Sequence, residues 1–176
     1  MTERHKLGST DLKRLHRQWR REATGRLGLA LDGVEQPGNV GAIVRTAAAY
    51  RVEDLWLAGR TAPVDGRGAQ RLAMGTDRYL RCHRTDDAPA AVAQARQAGY
   101  HVVALELTDG AEPLHSLSLP DKLCLVVGHE DRGVTKGCLA EVDEVAYLPQ
   151  LGRVGSLNVA ASVAIALYEA RRRDWS

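Results

Sequence analysis

Apolar and polar positions follow two different rhythms along this chain. Leu12, Leu15 and Trp19 recur at helical spacing among basic residues, so 9–23 reads as a helix with one apolar stripe. Ser9 or Thr10 is placed to cap it, with Asp11 in its first turn. Beyond that, short apolar runs alternate with longer amphipathic ones. Strands are predicted over 27–32, 54–59, 79–83, 101–107, 122–128 and 144–149. Helices are predicted from Asn39 to Tyr50, over 86–99 with Gly99 as C-terminal cap, in a short piece ending at Ala140, and over 156–173. The long Gly- and Arg-rich connection 60–77 leaves room for one more helical piece. The run "KLCLVVG" (122–128) is the most apolar and is placed at the centre of the sheet. Alternating strands and helices of this kind predict an α/β fold, a mainly parallel sheet flanked by helices.

The 176 residues suit one domain, 1–176, and no linker, repeat or low-complexity tract divides them. Hydrophobic residues make up 44% and phenylalanine is absent, so the core is expected to be Leu, Val, Ile and Ala. No run is apolar enough to span a bilayer, and the first residues lack a signal-peptide core; a cytoplasmic protein is the expectation. Cys82, Cys124 and Cys138 are too few and too scattered for a disulfide framework or a zinc pair, and no metal site is expected. Net charge is only +2, but residues 1–25 carry seven cations against three carboxylates, and the chain closes on "ARRRDWS". Basic ends on a near-neutral body fit a polyanionic partner or a solvated surface.

Several chemistries lose ground for want of their motifs. There is no G-x-G-x-x-G fingerprint, phosphate loop, H-E-x-x-H or nucleophile elbow. Three polar stretches remain, each at the C-terminal end of a predicted strand, where open α/β sheets bind ligands. In "DGVEQPGNVGAIVRTA" (32–47), Asn39 is suited to cap the helix. Arg45 shares a helix face with Gly41, Ala42, Ala48 and Ala49, a floor of small residues that a second surface can approach, although an ordinary ion pair would also satisfy it. "GHEDRG" (128–133) sets Glu130 and Arg132 in a glycine-bounded loop after the most buried strand. "LPQLGRVGSLN" (148–158) places Ser156 as an N-cap and Asn158 in the first turn, where an amide is expected to bond across a tight interface.

Taken in order, "PGNVGAIVRTA", "VVGHEDRGV" and "LPQLGRVGSLNVAASVAIALYE" resemble the three motifs of the SpoU/TrmH branch of the SPOUT RNA methyltransferases, over about residues 27–173. The resemblance implies a C-terminal deep trefoil knot and a homodimer with active sites at the subunit interface. It implies methyl transfer from S-adenosylmethionine to a ribose 2′-hydroxyl of RNA. The cofactor would be held largely by main-chain groups at Ala104, Leu105, Glu106, Gly128, Leu148 and Leu157. The polar active-site positions match Asn39, Arg45, Glu130, Ser156 and Asn158.

By the same resemblance Arg45 contacts the 2′-hydroxyl, either accepting its proton or stabilising the developing oxyanion as a fixed charge. Asn39 would position Arg45 or the ribose. Glu130 would orient Arg45 or shape the site. Ser156 and Asn158 would order the knot loop and the cofactor. Two positions depart from the pattern: Gln150 follows Pro149 where many relatives have Met, and His129 precedes the glutamate where Asn or Ala is common. The chain carries neither a separate N-terminal RNA-binding domain nor a long C-terminal extension, which suggests a minimal member with helix 9–23 as its appended RNA contact. A tRNA substrate is favoured over ribosomal RNA. The alternatives are a ribosomal-RNA methylase, including a resistance-type enzyme, and a non-catalytic RNA-binding module of the same fold.

Overall fold

The computed structural model describes residues 5–175, so Glu3 and Arg4 of the basic segment lie outside the described residues. Seven parallel strands form the sheet: β1 (Arg26–Asp32), β2 (Val52–Ala58), β3 (Arg81–Thr85), β4 (His101–Leu105), β5 (Glu112–Pro113), β6 (Lys122–Gly128) and β7 (Glu144–Tyr147). Their spatial order is β3-β2-β1-β6-β4-β7-β5. The apolar run expected at the centre is β6, the middle strand, and its residues from Leu123 to Gly128 are all buried. A parallel sheet needs cover on both faces, and the period-two alternation shows how each is supplied. Leu27, Leu29 and Leu31 of β1 and Leu123, Leu125 and Val127 of β6 point to one core; Ala30, Cys124 and Val126 point to the other.

The first core is closed by α2 (Pro37–Ala49), α3 (Arg67–Ala73) and α6 (Val159–Arg172). The second is closed by α4 (Ala88–Gln97) and the short α5 (Lys136–Leu139). Gly41 is where α2 and α3 touch: a Cβ there would lie 2.2 Å from the Ala69 carbonyl oxygen. The Gly99 stop is a full Schellman motif, with φ of +85° and amides of Gly99 and Tyr100 bonding back to Arg96 and Ala95.

Several boundaries differ from expectation for local reasons. The first helix, α1 (Ser9–Glu22), has Gly8 rather than Ser9 or Thr10 at its cap, with no side-chain bond. Its apolar stripe stays largely open: no residue of α1 is buried, and Trp19, 43% exposed, meets the edge of Trp175, 5.9 Å between centroids. The third strand starts two residues late because Thr76–Tyr79 winds into a 3-10 turn first. The fourth stops at Leu105 because Glu106 turns its carboxylate back onto the Leu107 amide. The two-residue edge strand β5 had no apolar signal to announce it. All three cysteines are free; Cys124 and Cys138 are core residues and Cys82 is exposed. No helix among the described residues is long and apolar enough to cross a membrane.

Candidate functional site

The three polar stretches meet at the C-terminal ends of β1, β4 and β6, and a chain of amide hydrogen bonds joins them. Helix α2 begins at Pro37, whose fixed φ suits a first helical turn, so Asn39 lies inside the helix and is not its cap. Its side chain is free to bridge. Nδ2 of Asn39 donates to Glu130 Oε1 at 2.9 Å, and Oδ1 accepts from Asn158 Nδ2 at 3.0 Å. Asn158, not Ser156, is the N-cap of α6, its Oδ1 accepting from the amides of Ala160 (2.9 Å) and Ala161 (3.3 Å). One side chain therefore starts α6 and fastens it to α2, the cross-interface bond expected of it. The expectation that Ser156 caps the helix and Asn39 caps α2 is corrected: both capping sites shift because proline and Asn158 occupy the helix-start positions.

Glu130 sits at the tip of a closed turn. The amides and carbonyls of His129 and Gly133 bond to each other at 3.0 and 2.9 Å. Beneath the turn Gly128 has no room for a side chain, since a Cβ would lie 2.0 Å from the Gly133 carbonyl carbon. Glu130 Oε1 also accepts from the Gln36 amide at 3.2 Å, while Oε2 is buried with no hydrogen-bond partner. Burial works to raise the Glu130 pKa, but the bonds from Asn39 and the backbone outweigh it and leave the carboxyl below its usual value. Arg132 turns away and pairs with Glu35 at 3.0 Å. Glu106 holds the far side of the turn, its Oε2 accepting from the Val134 amide at 2.8 Å.

A cleft of about 570 Å³ opens against this turn. Leu105, Glu106, Gly128, Leu148 and Leu157 line it, with Glu130 and Ser156. Ala104 does not: it is fully buried in β4, in the second core. Asn39, Arg45 and Asn158 lie outside the lining as well. The structure thus unites Asn39, Glu130 and Asn158 by hydrogen bonds and leaves Arg45 apart from them. Arg45 is exposed on α2, its guanidinium against the Met74 sulfur, and it pairs with no carboxylate among the described residues. Neither Glu130 nor Asn39 hydrogen-bonds to Arg45. Sequence reasoning passed over Gln36, whose contribution is a backbone amide with no side-chain signature. It passed over Met74, which sits in a segment read as a connection with room for one helical piece. Among the described residues no cluster of His, Cys, Asp and Glu is arranged to hold a metal ion.

Residues 26–168 match the family described as the SpoU rRNA methylase family. A tRNA (guanosine(18)-2′-O)-methyltransferase of Escherichia coli K12 is 32% identical over 152 residues, covering 84% of this chain and 63% of that one. A 23S rRNA (guanosine(2553)-2′-O)-methyltransferase of Bacillus subtilis is 33% identical over 149 residues, covering 85% and 59%. The chain thus spans less than two thirds of the length of either relative. The crystal structure of the SpoU methyltransferase AviRb from Streptomyces viridochromogenes, solved with AdoMet, superposes with a TM-score of 0.76 at 26% identity, covering 85% of this chain and 61% of that one.

Proposed function

The chain belongs to the SpoU rRNA methylase family, and from that membership we propose that it transfers a methyl group from S-adenosylmethionine to a ribose 2′-hydroxyl of RNA. The observation that carries the proposal is the Asn158–Asn39–Glu130 relay, which fastens three separate motif segments around a cleft at the C-terminal ends of the central strands. The cleft fits the cofactor. Its volume of about 570 Å³ is that of a small-molecule site. Its apolar walls at Leu105, Leu148 and Leu157 suit an adenosine, and the carboxylates of Glu106 and Glu130 suit a positive charge. Backbone groups of Leu105, Gly128, Leu148 and Leu157 would hold it, with Ala104 supporting from within β4. Bound there, S-adenosylmethionine supplies an electrophilic methyl on a sulfonium.

The chain's own residues then have separable tasks. Gly128 and Glu106 shape the turn that carries Glu130. Asn39 and Asn158 hold that turn against the starts of α2 and α6. Ser156, in the lining, orders the segment 148–158. Arg45, with no carboxylate partner among the described residues, meets RNA as a fixed cation, holding phosphate and stabilising the 2′-oxygen as its proton passes to solvent water.

The knot and the dimer belong to the same reading. After β7 the chain leaves the sixth strand position of the sheet and returns to pack α6 on α2 and β6, so 148–158 must cross over the strand ends near the 129–133 turn. That path supports a deep trefoil knot. Ile165 and Tyr168 of α6 stay exposed, which supports a second copy covering that face in a cytoplasmic homodimer. Sedimentation at micromolar concentration tests the dimer.

The acceptor is taken to be tRNA, the substrate named for the Escherichia coli relative; ribosomal RNA, named for the Bacillus subtilis relative, is the second reading. Incubation with tritiated S-adenosylmethionine and separate tRNA and ribosomal-RNA fractions, followed by nucleoside mass spectrometry, decides between them. A 2′-O-methyl nucleoside in the tRNA fraction is expected. Label in neither fraction, with no cofactor binding by calorimetry, overturns the reading.

A further inference from the structure

Helix α3 ends in an unusual way. Its cap is Met74 at φ of +52°, followed by Gly75 at +71°. Glycine or asparagine is the ordinary residue for a left-handed helix end, because a Cβ is disfavoured there. The cap itself needs only the backbone: the Met74 amide donates to the Gln70 carbonyl at 3.0 Å. The methionine side chain contributes nothing to that bond and is 66% exposed, resting against the Arg45 guanidinium. Thr76 ties the turn back through a 2.6 Å bond to the Ala73 carbonyl.

Five residues on, Tyr79 is 63% exposed beside a buried Leu80. The Arg78 guanidinium lies 4.9 Å from the centre of its ring and donates to its hydroxyl at 2.9 Å. Both α3 and the turn that follows pack along α2, the helix that carries Arg45. The charge here is one-sided. Arg67, Arg71 and Arg78 share residues 67–80 with a single carboxylate, Asp77, and neither they nor Arg45 form an ion pair with any described residue. An exposed aromatic ring backed by arginine, a soft thioether and unpaired guanidinium groups is what a single-stranded nucleic acid requires: a face for a base and cations for its phosphates.

We propose that Tyr79 and Met74 form a platform on which an unpaired RNA base beside the acceptor nucleotide stacks, with Arg45, Arg71 and Arg78 on the adjoining phosphates. This rests on the reading of the chain as an RNA-modifying enzyme and adds where the RNA lies: along α2 and α3, outside the cofactor cleft. In that arrangement Met74 keeps Arg45 turned toward the bound strand.

The test measures binding of fluorescently labelled tRNA, and of a fully paired RNA duplex of equal length, to the native chain and to Tyr79→Ala, Tyr79→Phe and Met74→Gly. Glycine relieves the left-handed strain at 74, so Met74→Gly is expected to fold. Tyr79→Ala and Met74→Gly should each weaken tRNA binding about tenfold. Tyr79→Phe should bind as the native chain does, and duplex binding should change less than twofold in all three. Calorimetric affinity for S-adenosylmethionine should not move. Unchanged tRNA binding in Tyr79→Ala, or equal weakening for duplex, overturns the platform. So does a parallel fall in cofactor affinity, which would mark a structural role. A native chain that binds tRNA through this surface yet transfers no methyl would instead defeat the proposed reaction and leave the platform standing.

Discussion

Both ends of the parallel sheet carry a polar network built around one acidic residue, and they differ in how those networks end. At the N-terminal end, Asp54 of β2 accepts from Arg81 at 2.9 and 2.8 Å and from the Tyr100 hydroxyl at 2.7 Å, and His83 Nε2 lies 2.8 Å away. Burial opposes the charge, but those bonds outweigh it and hold the Asp54 carboxyl well below the usual carboxylate range. Trp56 stacks on His83 and meets the edge of Tyr100, packing against the group from one side. At the C-terminal end, Glu130 has one oxygen engaged and the other buried without a partner, while Arg45, further along α2 and outside the cleft lining, pairs with no carboxylate among the described residues. A network that satisfies every acceptor within the fold holds strands together. One that leaves a buried acceptor open beside a cleft, with an unpaired cation further along the helix it is fastened to, is organised for something that arrives.

The largest expected effect breaks that comparison most directly. Arg45→Ala should lower methyl transfer to RNA about 100- to 1,000-fold, the scale for losing one stabiliser of a developing oxyanion. Its melting temperature should stay within about 1 °C of native, since an exposed side chain with one thioether contact adds little to stability. Asp54→Asn should do the reverse. It should cost about 2 kcal/mol of stability in urea titrations, the scale of hydrogen bonds to a charged group, while cofactor affinity at 25 °C stays within about twofold of native. Transfer loss in folded Asp54→Asn, or a lowered melting point for Arg45→Ala, would show that the two ends do not divide the work.

A pH series sharpens the same contrast. The Asp54 and Glu130 pKa values are both lowered in the fold. Each therefore contributes stability above its unfolded value near 4 that is lost as pH falls through its folded value. The Asp54 shift is the larger, so most of the acid loss should belong to the N-terminal network. Urea titrations from about pH 5 down to pH 3 should show native stability falling, and Asp54→Asn should flatten that fall more than Glu130→Gln does. An equal flattening by both would place as much of the pH dependence in the cleft as at the N-terminal end.

Much of this molecule was legible in its sequence because strand and helix signals are local. The run 122–128 announced a central strand by being apolar throughout, and Gly99 announced a helix end by its chemistry. The candidate site was legible as three segments, since turn residues and motif spacing are also local. What escaped was everything decided by contact between distant segments. Asn39 and Ser156 both looked like caps, because any Asn or Ser before an apolar helix does. Only the fold shows that Pro37 and Asn158 take the helix starts and release Asn39 to bridge 91 residues along the chain to Glu130. The stripe of α1 was legible as a periodicity, yet the sequence carried no sign that none of its residues is buried. Met74 carried no signal either, since a left-handed methionine is visible only as a backbone angle.

The smallest predicted effect separates two roles held by one side chain. Asn158 both caps α6 and donates to Asn39, so removing it confounds stability with positioning. Asn158→Ala should cost about 1 kcal/mol from the lost cap. Asn158→Ser keeps an acceptor for the Ala160 and Ala161 amides and should recover most of that stability, since serine caps about as well as asparagine. A serine hydroxyl lies too close to the α6 backbone to replace the amide that reaches Asn39. Methyl transfer should therefore stay about tenfold down in both variants, the scale for losing a supporting hydrogen bond behind a site. If Asn158→Ser regains transfer together with stability, the residue is a cap alone, and the link between α6, α2 and Glu130 is a consequence of packing with no part in the chemistry.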